Sequence, residues 1–126
     1  IPPEYVIPAK YHNPPTSSYA TRELLNLNNP PTCILYPDDF AYIGGMNEIE
    51  HQGLSIPADI SVAGYDGIYL SQVLRPKLTT LQQDTEKIGQ TAAVELIKAI
   101  QNPKAYIPQA IIIKGTLLEG DSVKQL

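Results

Sequence analysis

The sequence has 126 residues, of which 43% are hydrophobic and 17% are charged, and its net charge is −4. This is the composition of a globular domain, and it excludes a disordered chain or a coiled coil. No stretch approaches the ~20 apolar residues that a membrane-spanning helix needs. The acidic balance is wrong for a chain that grips a nucleic-acid backbone by itself. A single cysteine, Cys33, excludes an internal disulfide bond and a cysteine-cluster metal site.

The N-terminal part of the sequence predicts a proline-rich segment followed by a helix. Because the chain opens at Ile1 without a start methionine or a signal-like segment, we expect the natural N-terminus to lie upstream. Five of the twelve prolines fall in the first fifteen residues, which leaves room for at most a short strand at residues 5–11. Ser17 or Ser18 is then expected to cap a helix. Its predicted apolar stripe consists of Ala20, Leu24 and Leu27.

The middle of the sequence alternates strand and helix patterns. The continuous apolar run at residues 32–36 is typical of a strand buried on both faces. Asp38 or Asp39 is placed to cap the helix that follows. Two further strands are predicted at residues 60–65 and 78–82, and the first of them ends in a turn at Asp66 and Gly67.

The C-terminal part predicts the longest helix, which begins after Asp84 or Thr85 and ends at Asn102. Its predicted apolar stripe consists of Ile88, Ala92, Leu96 and Ile100. Closing strands are expected at residues 110–114 and 116–118, and the polar tail is expected to fray. The alternation of strands and helices predicts an α/β fold with a largely parallel sheet.

Polar residues follow three of the predicted strands, and ligands of open α/β sheets bind at the carboxyl ends of strands. These residues are Asp38, Asp66 and Gln83, and Tyr65 and Tyr69 flank the second of them. Carboxylates and an amide at one edge suit a polyhydroxylated ligand, and aromatic rings suit its C–H face. Simpler roles stay open at this point, because Asp38 also fits a helix cap and Asp66 an ordinary turn residue.

Little in the sequence favours an enzyme. Cys33 lies in a strand-like run and is expected to be a small buried hydrophobe. His12 and His51 lack the spacing of zinc ligands. Asp38 and Asp66 could pair as general acid and base, but no phosphate loop or nucleophile–base pattern accompanies them. We therefore expect no catalytic residues, no metal and no cofactor.

Several motifs, in order, resemble the LacI/GalR family of transcription regulators. Residues 31–44, PTCILYPDDFAYIG, resemble the family's "PTAI…NDxxAxG" segment, and residues 53–66, GLSIPADISVAGYD, resemble "GLxVPxDISVxGFD". Residues 74–84, LRPKLTTLQQD, resemble "LxPPLTTVxQ", and residues 111–116 resemble the closing "LVxRxS". The similarity covers most of the chain, and three motifs in the right order are far more specific than any one of them.

The resemblance implies a type I periplasmic-binding-protein fold, in which two α/β lobes clamp a small effector. Residues 1–126 would then be a partial effector-binding domain, mostly its C-terminal lobe, with about residues 84–113 crossing toward the N-terminal lobe. The DNA-binding headpiece and most of the N-terminal lobe would lie upstream. By position, Asp66 matches the aspartate that commonly binds effector hydroxyls, and Asp38 matches another position that faces the effector. Gln83 falls at the crossover, and Tyr65, Tyr69 and Phe40 are weaker candidates for lining the pocket.

The resemblance also implies partners. These are a small effector, expected to be a sugar or sugar derivative, operator DNA through the upstream headpiece, and a second copy in a homodimer, with no membrane partner and a cytoplasmic location. Gly67 departs from the family, which often has an acidic residue there, and Gly-Tyr-Asp-Gly resembles the "GFDG" of periplasmic sugar-binding proteins. A periplasmic or cell-surface sugar receptor for uptake is therefore the alternative. A hybrid regulator with a different headpiece and, more distantly, an enzyme also stay open.

Overall fold

The computed structural model describes residues 1–125 and divides the chain into two compact units. The first unit consists of residues 1–82 together with the chain from Leu117 onward, and the second consists of residues 83–116. A single 3₁₀ turn, Pro3–Tyr5, precedes the regular elements. In chain order these are α1 (Pro14–Leu25), β1 (Cys33–Leu35), α2 (Asp39–His51), β2 (Ser61–Asp66), α3 (Tyr69–Val73), β3 (Thr79–Gln82), α4 (Thr85–Gln101) and β4 (Thr116–Leu118).

The strands form one sheet in the order β1-β2-β3-β4. β2 pairs in parallel with β1, where Ile34 lies opposite Val62, and in parallel with β3, where Gly64 lies opposite Thr80. The predicted α/β fold with a parallel sheet is therefore confirmed. The core of the first unit is apolar and includes Leu24, Ile34, Tyr42, Ile49, Val62 and Leu78.

Helix α1 begins earlier than the sequence predicted. The cap is Asn13, whose side-chain oxygen accepts a hydrogen bond from the backbone N–H of Thr16 at 3.0 Å. Pro14 and Pro15 occupy the first turn, where a proline loses nothing because the first amides of a helix have no intrahelical partner. The predicted caps are wrong for this reason, and Ser17 is instead buried inside the helix. No strand forms at residues 5–11, where the prolines leave irregular chain and a turn.

Helices α1 and α2 pack together through a buried carboxylate. Glu48 of α2 accepts hydrogen bonds from Arg22 of α1 through both of its oxygens, at 2.8 and 2.9 Å. Ser18 and Gln52 donate to the same carboxylate at 3.0 Å. Hydrogen bonds from Arg22 and Gln52 hold the pKa of Glu48 at about 2, well below its usual value. Glu48 therefore stays charged across the physiological range.

Strand β1 is not buried on both faces, which corrects the prediction for residues 32–36. Ile34 and Tyr36 are buried, whereas Leu35 is 74% exposed and Cys33 is exposed as well. The side chains of a strand alternate between the two faces of the sheet, and here only one face carries covering elements of residues 1–125. The prediction that Cys33 is a buried hydrophobe is therefore wrong in this structure.

The described part of the C-terminal tail, up to residue 125, packs against the sheet and does not fray. Ser122 is fully buried, and its hydroxyl donates to the carbonyl of Val62 at 2.7 Å and accepts from the backbone N–H of Thr79 at 2.8 Å. Its carbonyl accepts from the N–H of Val62 at 2.9 Å. Ser122 thus bridges β2 and β3 at their amino ends, where the two strands have not yet begun to pair with each other.

The second unit is dominated by α4, whose side-chain cap is Asp84 as predicted. None of its residues is buried, and the predicted stripe includes Leu96, 61% exposed, and Ile100, 69% exposed. The strand predicted at residues 110–114 does not form, and a short helix, α3, follows β2 where only a turn was predicted. Among the described residues, no helix is long and apolar enough to cross a membrane.

Candidate ligand-binding site

Asp66 ends β2 in a strained backbone conformation. Its φ is +107°, a backbone conformation that residues other than glycine seldom adopt, and Gly67 follows with φ +68°. Strain of this kind collects at functional sites because the surrounding structure must hold it in place. The side chain of Asp66 is 15% exposed, so it is largely buried and still reaches the surface.

Two residues of the proline-rich segment, Tyr11 and His12, lie against Asp66. The Tyr11 hydroxyl donates to Oδ2 of Asp66 at 2.8 Å, and Nε2 of His12 is 3.7 Å from the same oxygen. The Tyr11 and His12 rings have centroids 4.2 Å apart, and the ring of Phe40 lies 5.3 Å from that of His12. A carboxylate, an imidazole, a phenol and a phenyl ring therefore meet where β2 ends and α2 begins.

Asp38 joins the same cluster from beneath it. It is fully buried and caps α2, where Oδ1 accepts from the N–H of Ala41 at 2.8 Å. Oδ2 accepts from the backbone N–H of His12 at 2.9 Å. The carboxylate thus fixes the backbone that carries Tyr11 and His12, and the helix-cap role considered from the sequence is present.

Asp39, the next residue, holds the turn that carries Asp66. It is buried, and its two oxygens accept from the Thr80 hydroxyl at 2.7 Å and from the backbone N–H of Ile68 at 2.9 Å. Because Ile68 follows Asp66 by two residues, this carboxylate ties the turn both to α2 and to β3. The sequence marked Asp39 only as a possible helix cap, and local patterns carry no sign of contacts across 29 and 41 residues.

The structure brings Asp38, Phe40 and Asp66 together and places the other predicted site residues around or apart from them. Tyr65 is 40% exposed and immediately precedes Asp66, and Tyr69 is 83% exposed at the start of α3. Gln83 is the first residue of the second unit. The roles predicted for all six residues in ligand binding stay predictions.

The sequence did not point to Tyr11 or His12 as site residues. Their one local sign is an aromatic pair just before the helix cap Asn13, in a loop where prolines limit the backbone. Loops positioned by a rigid scaffold commonly carry binding residues. The position of this pair in the sequence does not show that it contacts Asp66, which lies 55 residues after Tyr11.

The cluster has the chemistry of a hydrogen-bonding site. The Asp66 carboxylate accepts hydrogen bonds, Tyr11 and His12 supply groups that donate or accept, and Phe40, which is 38% exposed, offers an apolar ring. Polyhydroxylated molecules present hydroxyls to hydrogen-bonding groups such as these, and they present C–H faces to aromatic rings. The arrangement suits recognition of such a molecule.

We expect the change Asp66→Asn to lower the pKa of Tyr11. The hydrogen bond to the Asp66 carboxylate, together with burial and negative charge, raises this pKa from its ordinary 10.0 to about 12. An amide carries no charge, so the pKa should fall back toward 10. NMR titration of ¹³C-labelled tyrosine rings, with Tyr11→Phe for assignment, measures the change. Asp59→Asn, at an exposed loop residue, is the matched control. A Tyr11 pKa that stays near 12 in Asp66→Asn would contradict the contact.

Comparison with known proteins supplies the class of this fold. A family model described as a periplasmic binding protein-like domain matches residues 2–123. The chain is 36% identical over 123 residues to the probable HTH-type transcriptional repressor ExuR of Bacillus subtilis strain 168. That match covers 98% of this chain but 36% of the repressor, so the chain spans little more than a third of the length of this relative.

Solved structures show the same relationship. A LacI family transcriptional regulator from Enterococcus faecium with bound ribose superposes with a TM-score of 0.77 and 30% identity, over 90% of this chain and 41% of that one. The lac repressor dimer bound to operator and the anti-inducer ONPF matches with a TM-score of 0.75 and 31% identity. This second match covers 86% of this chain and 37% of that one.

The fold and the family model together define a periplasmic binding protein-like domain. The chain belongs to the LacI family of transcription regulators, and its matched curated relatives are repressors. The resemblance carried by the sequence motifs is therefore confirmed.

Proposed function

We propose that the chain is part of the effector-binding domain of a LacI-type transcription regulator and that its effector is a sugar or sugar derivative. The observation that carries this proposal is the Asp66 cluster, where a strained and partly accessible carboxylate meets Tyr11, His12 and Phe40 at the carboxyl end of β2. A related regulator from Enterococcus faecium holds ribose, which supports the sugar class.

In this proposal Asp66 accepts hydrogen bonds from effector hydroxyls. Tyr11 and His12 orient the Asp66 carboxylate. Phe40, Tyr65 and Tyr69 line the pocket with rings, and Gln83 contributes an amide. Asp38 also has a structural role that does not depend on contact with the effector, because it fixes the His12 backbone and caps α2. The site recognises a molecule rather than transforming one, which agrees with relatives that are repressors and not enzymes.

The regulatory step needs parts of the protein outside residues 1–126. We place the opposing lobe and a DNA-binding headpiece in the remainder of the polypeptide, with residues 84–113 crossing toward that lobe. The exposed apolar stripe of α4 supports this placement, because a helix of this pattern is stable when its apolar face is covered. Effector binding then shifts the balance between open and closed lobes and so changes the affinity of a dimer for operator DNA. Such a regulator works in the cytoplasm, where the DNA is.

Packing explains Gly67 without a sugar receptor. Its φ is +68°, and a Cβ atom there would lie 2.7 Å from Cγ of Gln82 and against the Gln82 backbone. In this structure a side chain at position 67 would require the turn or Gln82 to move. The glycine therefore has a local structural reason that does not depend on a receptor function, and the LacI-family regulator is the function we propose.

We expect Asp66→Ala in the intact protein to weaken effector binding by ~1–3 kcal/mol, because it leaves effector hydroxyls without a buried partner. Isothermal titration calorimetry with ribose, lactose, cellobiose and a panel of other sugars measures the dissociation constants. The matched control is Asp121→Ala, an exposed aspartate whose backbone bonds to Lys77 at the opposite end of the sheet. An unchanged dissociation constant in Asp66→Ala rejects the role of Asp66. A protein that binds none of the sugars rejects the sugar class.

A further inference from the structure

A buried chain of hydrogen bonds links strand β3 to the turn that carries Asp66. Thr80 of β3 is buried, and its hydroxyl donates to Oδ1 of Asp39 at 2.7 Å. Oδ2 of the same carboxylate accepts from the backbone N–H of Ile68 at 2.9 Å. Because Ile68 lies two residues beyond Asp66, the Thr80 hydroxyl acts on the turn through a single intervening side chain.

Gly64 of β2 provides the space in which Asp39 reaches Thr80. Gly64 lies opposite Thr80 in the parallel pairing of β2 with β3. A Cβ atom on Gly64 would lie 2.5 Å from Oδ1 of Asp39, so a side chain there would displace the carboxylate. The contact therefore depends on three elements, α2, β2 and β3, and each of them leads to the site.

The turn needs such support because its backbone is strained. Asp66 has φ +107° and Gly67 has φ +68°, and strain of this kind persists only where surrounding contacts hold it. Gln82 donates its side-chain amide to the Gly67 carbonyl at 3.3 Å. Strand β3 thus holds the turn at two points, directly through Gln82 and, by way of Asp39, through Thr80. Loss of the second contact lets the turn relax, and the Asp66 carboxylate moves with it.

We propose that Thr80 is a positioning residue for effector binding, which acts through Asp39 and Ile68 to hold the Asp66 carboxylate in place. This inference rests on the proposed role of Asp66 as the acceptor of effector hydroxyls. Thr80 is 1% exposed, so it does not touch the effector itself. Recognition by a carboxylate depends on its exact placement, and that placement comes from the residues behind it. The affinity for the effector therefore depends on a hydroxyl outside the pocket.

Thr80→Val tests this role, because valine replaces the hydroxyl with a methyl group and keeps the shape of the side chain. The Tyr11 pKa, about 12 beside the Asp66 carboxylate, should fall toward 10.0 as that carboxylate moves away. NMR titration of ¹³C-labelled tyrosine rings in the intact polypeptide measures this change. Calorimetry with ribose, lactose and cellobiose should show a dissociation constant about tenfold higher, the size of effect that loss of one hydrogen bond produces.

Two further variants separate positioning from stability. Thr80→Ser keeps the hydroxyl, so the Tyr11 pKa and the affinity should stay close to those of the unmodified protein. Ile49→Val removes a fully buried methyl group near the end of α2, far along the helix from Asp39. It should lower stability and leave both measurements unchanged. If valine prevents folding, Thr80→Ala removes the hydroxyl without placing a methyl group against Asp39, and the same two shifts are expected.

Four results would overturn the proposal. The first is a Tyr11 pKa that stays near 12 when the hydroxyl is removed. The second is a lowered pKa with an unchanged dissociation constant, which means that Asp66 moves without consequence for binding. The third is a loss in Thr80→Ser as large as that in Thr80→Val, and the fourth is a lowered Tyr11 pKa in Ile49→Val.

Failure of the proposed function gives a different result. An unmodified protein that binds none of the sugars rejects the sugar effector. The Tyr11 titration needs no effector, so it still decides whether Thr80 holds the Asp66 carboxylate in place.

Discussion

Asp39→Ala is expected to lower the free energy of unfolding by about 3–5 kcal/mol. Asp39 is buried, and its carboxylate accepts from the Thr80 hydroxyl at 2.7 Å and from the Ile68 backbone N–H at 2.9 Å. Hydrogen bonds to a charged group contribute about 1.5–3 kcal/mol each, and alanine leaves both donors buried without it. Urea unfolding followed by circular dichroism measures the loss.

Asp39→Asn is the matched control, because it keeps the shape of the side chain. Its amide oxygen can still accept from the N–H of Ile68, and its amide nitrogen can donate to the oxygen of Thr80. We expect a loss of about 1 kcal/mol, since one hydroxyl proton then lacks its acceptor. If Asp39→Ala costs no more than Asp39→Asn, the two hydrogen bonds do not hold the turn together.

The Asp39 carboxylate shows why the sequence predicted the strands and helix caps better than the contacts of the candidate ligand-binding site. Strands β2 and β3 and the caps Asp38 and Asp84 follow from local patterns, which are runs of apolar residues and an acidic residue before a helix. The hydrogen bonds that make these two residues caps, from Ala41 to Asp38 and from Lys87 to Asp84, each span three residues along the chain. The contacts of Asp39 with β3 and of Tyr11 with Asp66 span 41 and 55 residues, and they depend on how the elements fold over one another.

Three errors in the sequence-based predictions have separate origins. Ser122 looked like part of a polar tail, but its hydroxyl bonds to the backbone groups of Val62 and Thr79 that have no strand partner at the amino ends of β2 and β3. Cys33 looked buried because an apolar run does not show which face of a strand is covered. Ser17 looked like a cap because serine is a good one, yet Asn13 with two following prolines is better suited to open a helix.

Gly44→Ala is expected to destabilise the protein by about 2 kcal/mol, although alanine is the better helix former. A Cβ atom on Gly44 would lie 2.6 Å from the carbonyl carbon of Pro14 and 2.8 Å from its Cα, so it collides with the backbone of α1. That backbone is fixed by two prolines and the Asn13 cap, and relief requires the whole helix to move. Overpacking of this kind costs about 1–3 kcal/mol or more, against a gain in helix propensity of about 1 kcal/mol.

Gly89→Ala provides the same substitution without the collision. Gly89 lies inside α4, and a Cβ atom there would meet nothing within 4 Å. Only the propensity term remains, so this variant should gain about 0.5–1 kcal/mol. Urea unfolding of the two variants under one set of conditions should therefore give changes of opposite sign. Stabilisation by both would mean that α1 and α2 have room between them, and destabilisation by both would mean that Gly89 is packed in the folded protein. Opposite signs would show that the close approach of α1 and α2, and not helix propensity, requires the glycine at position 44.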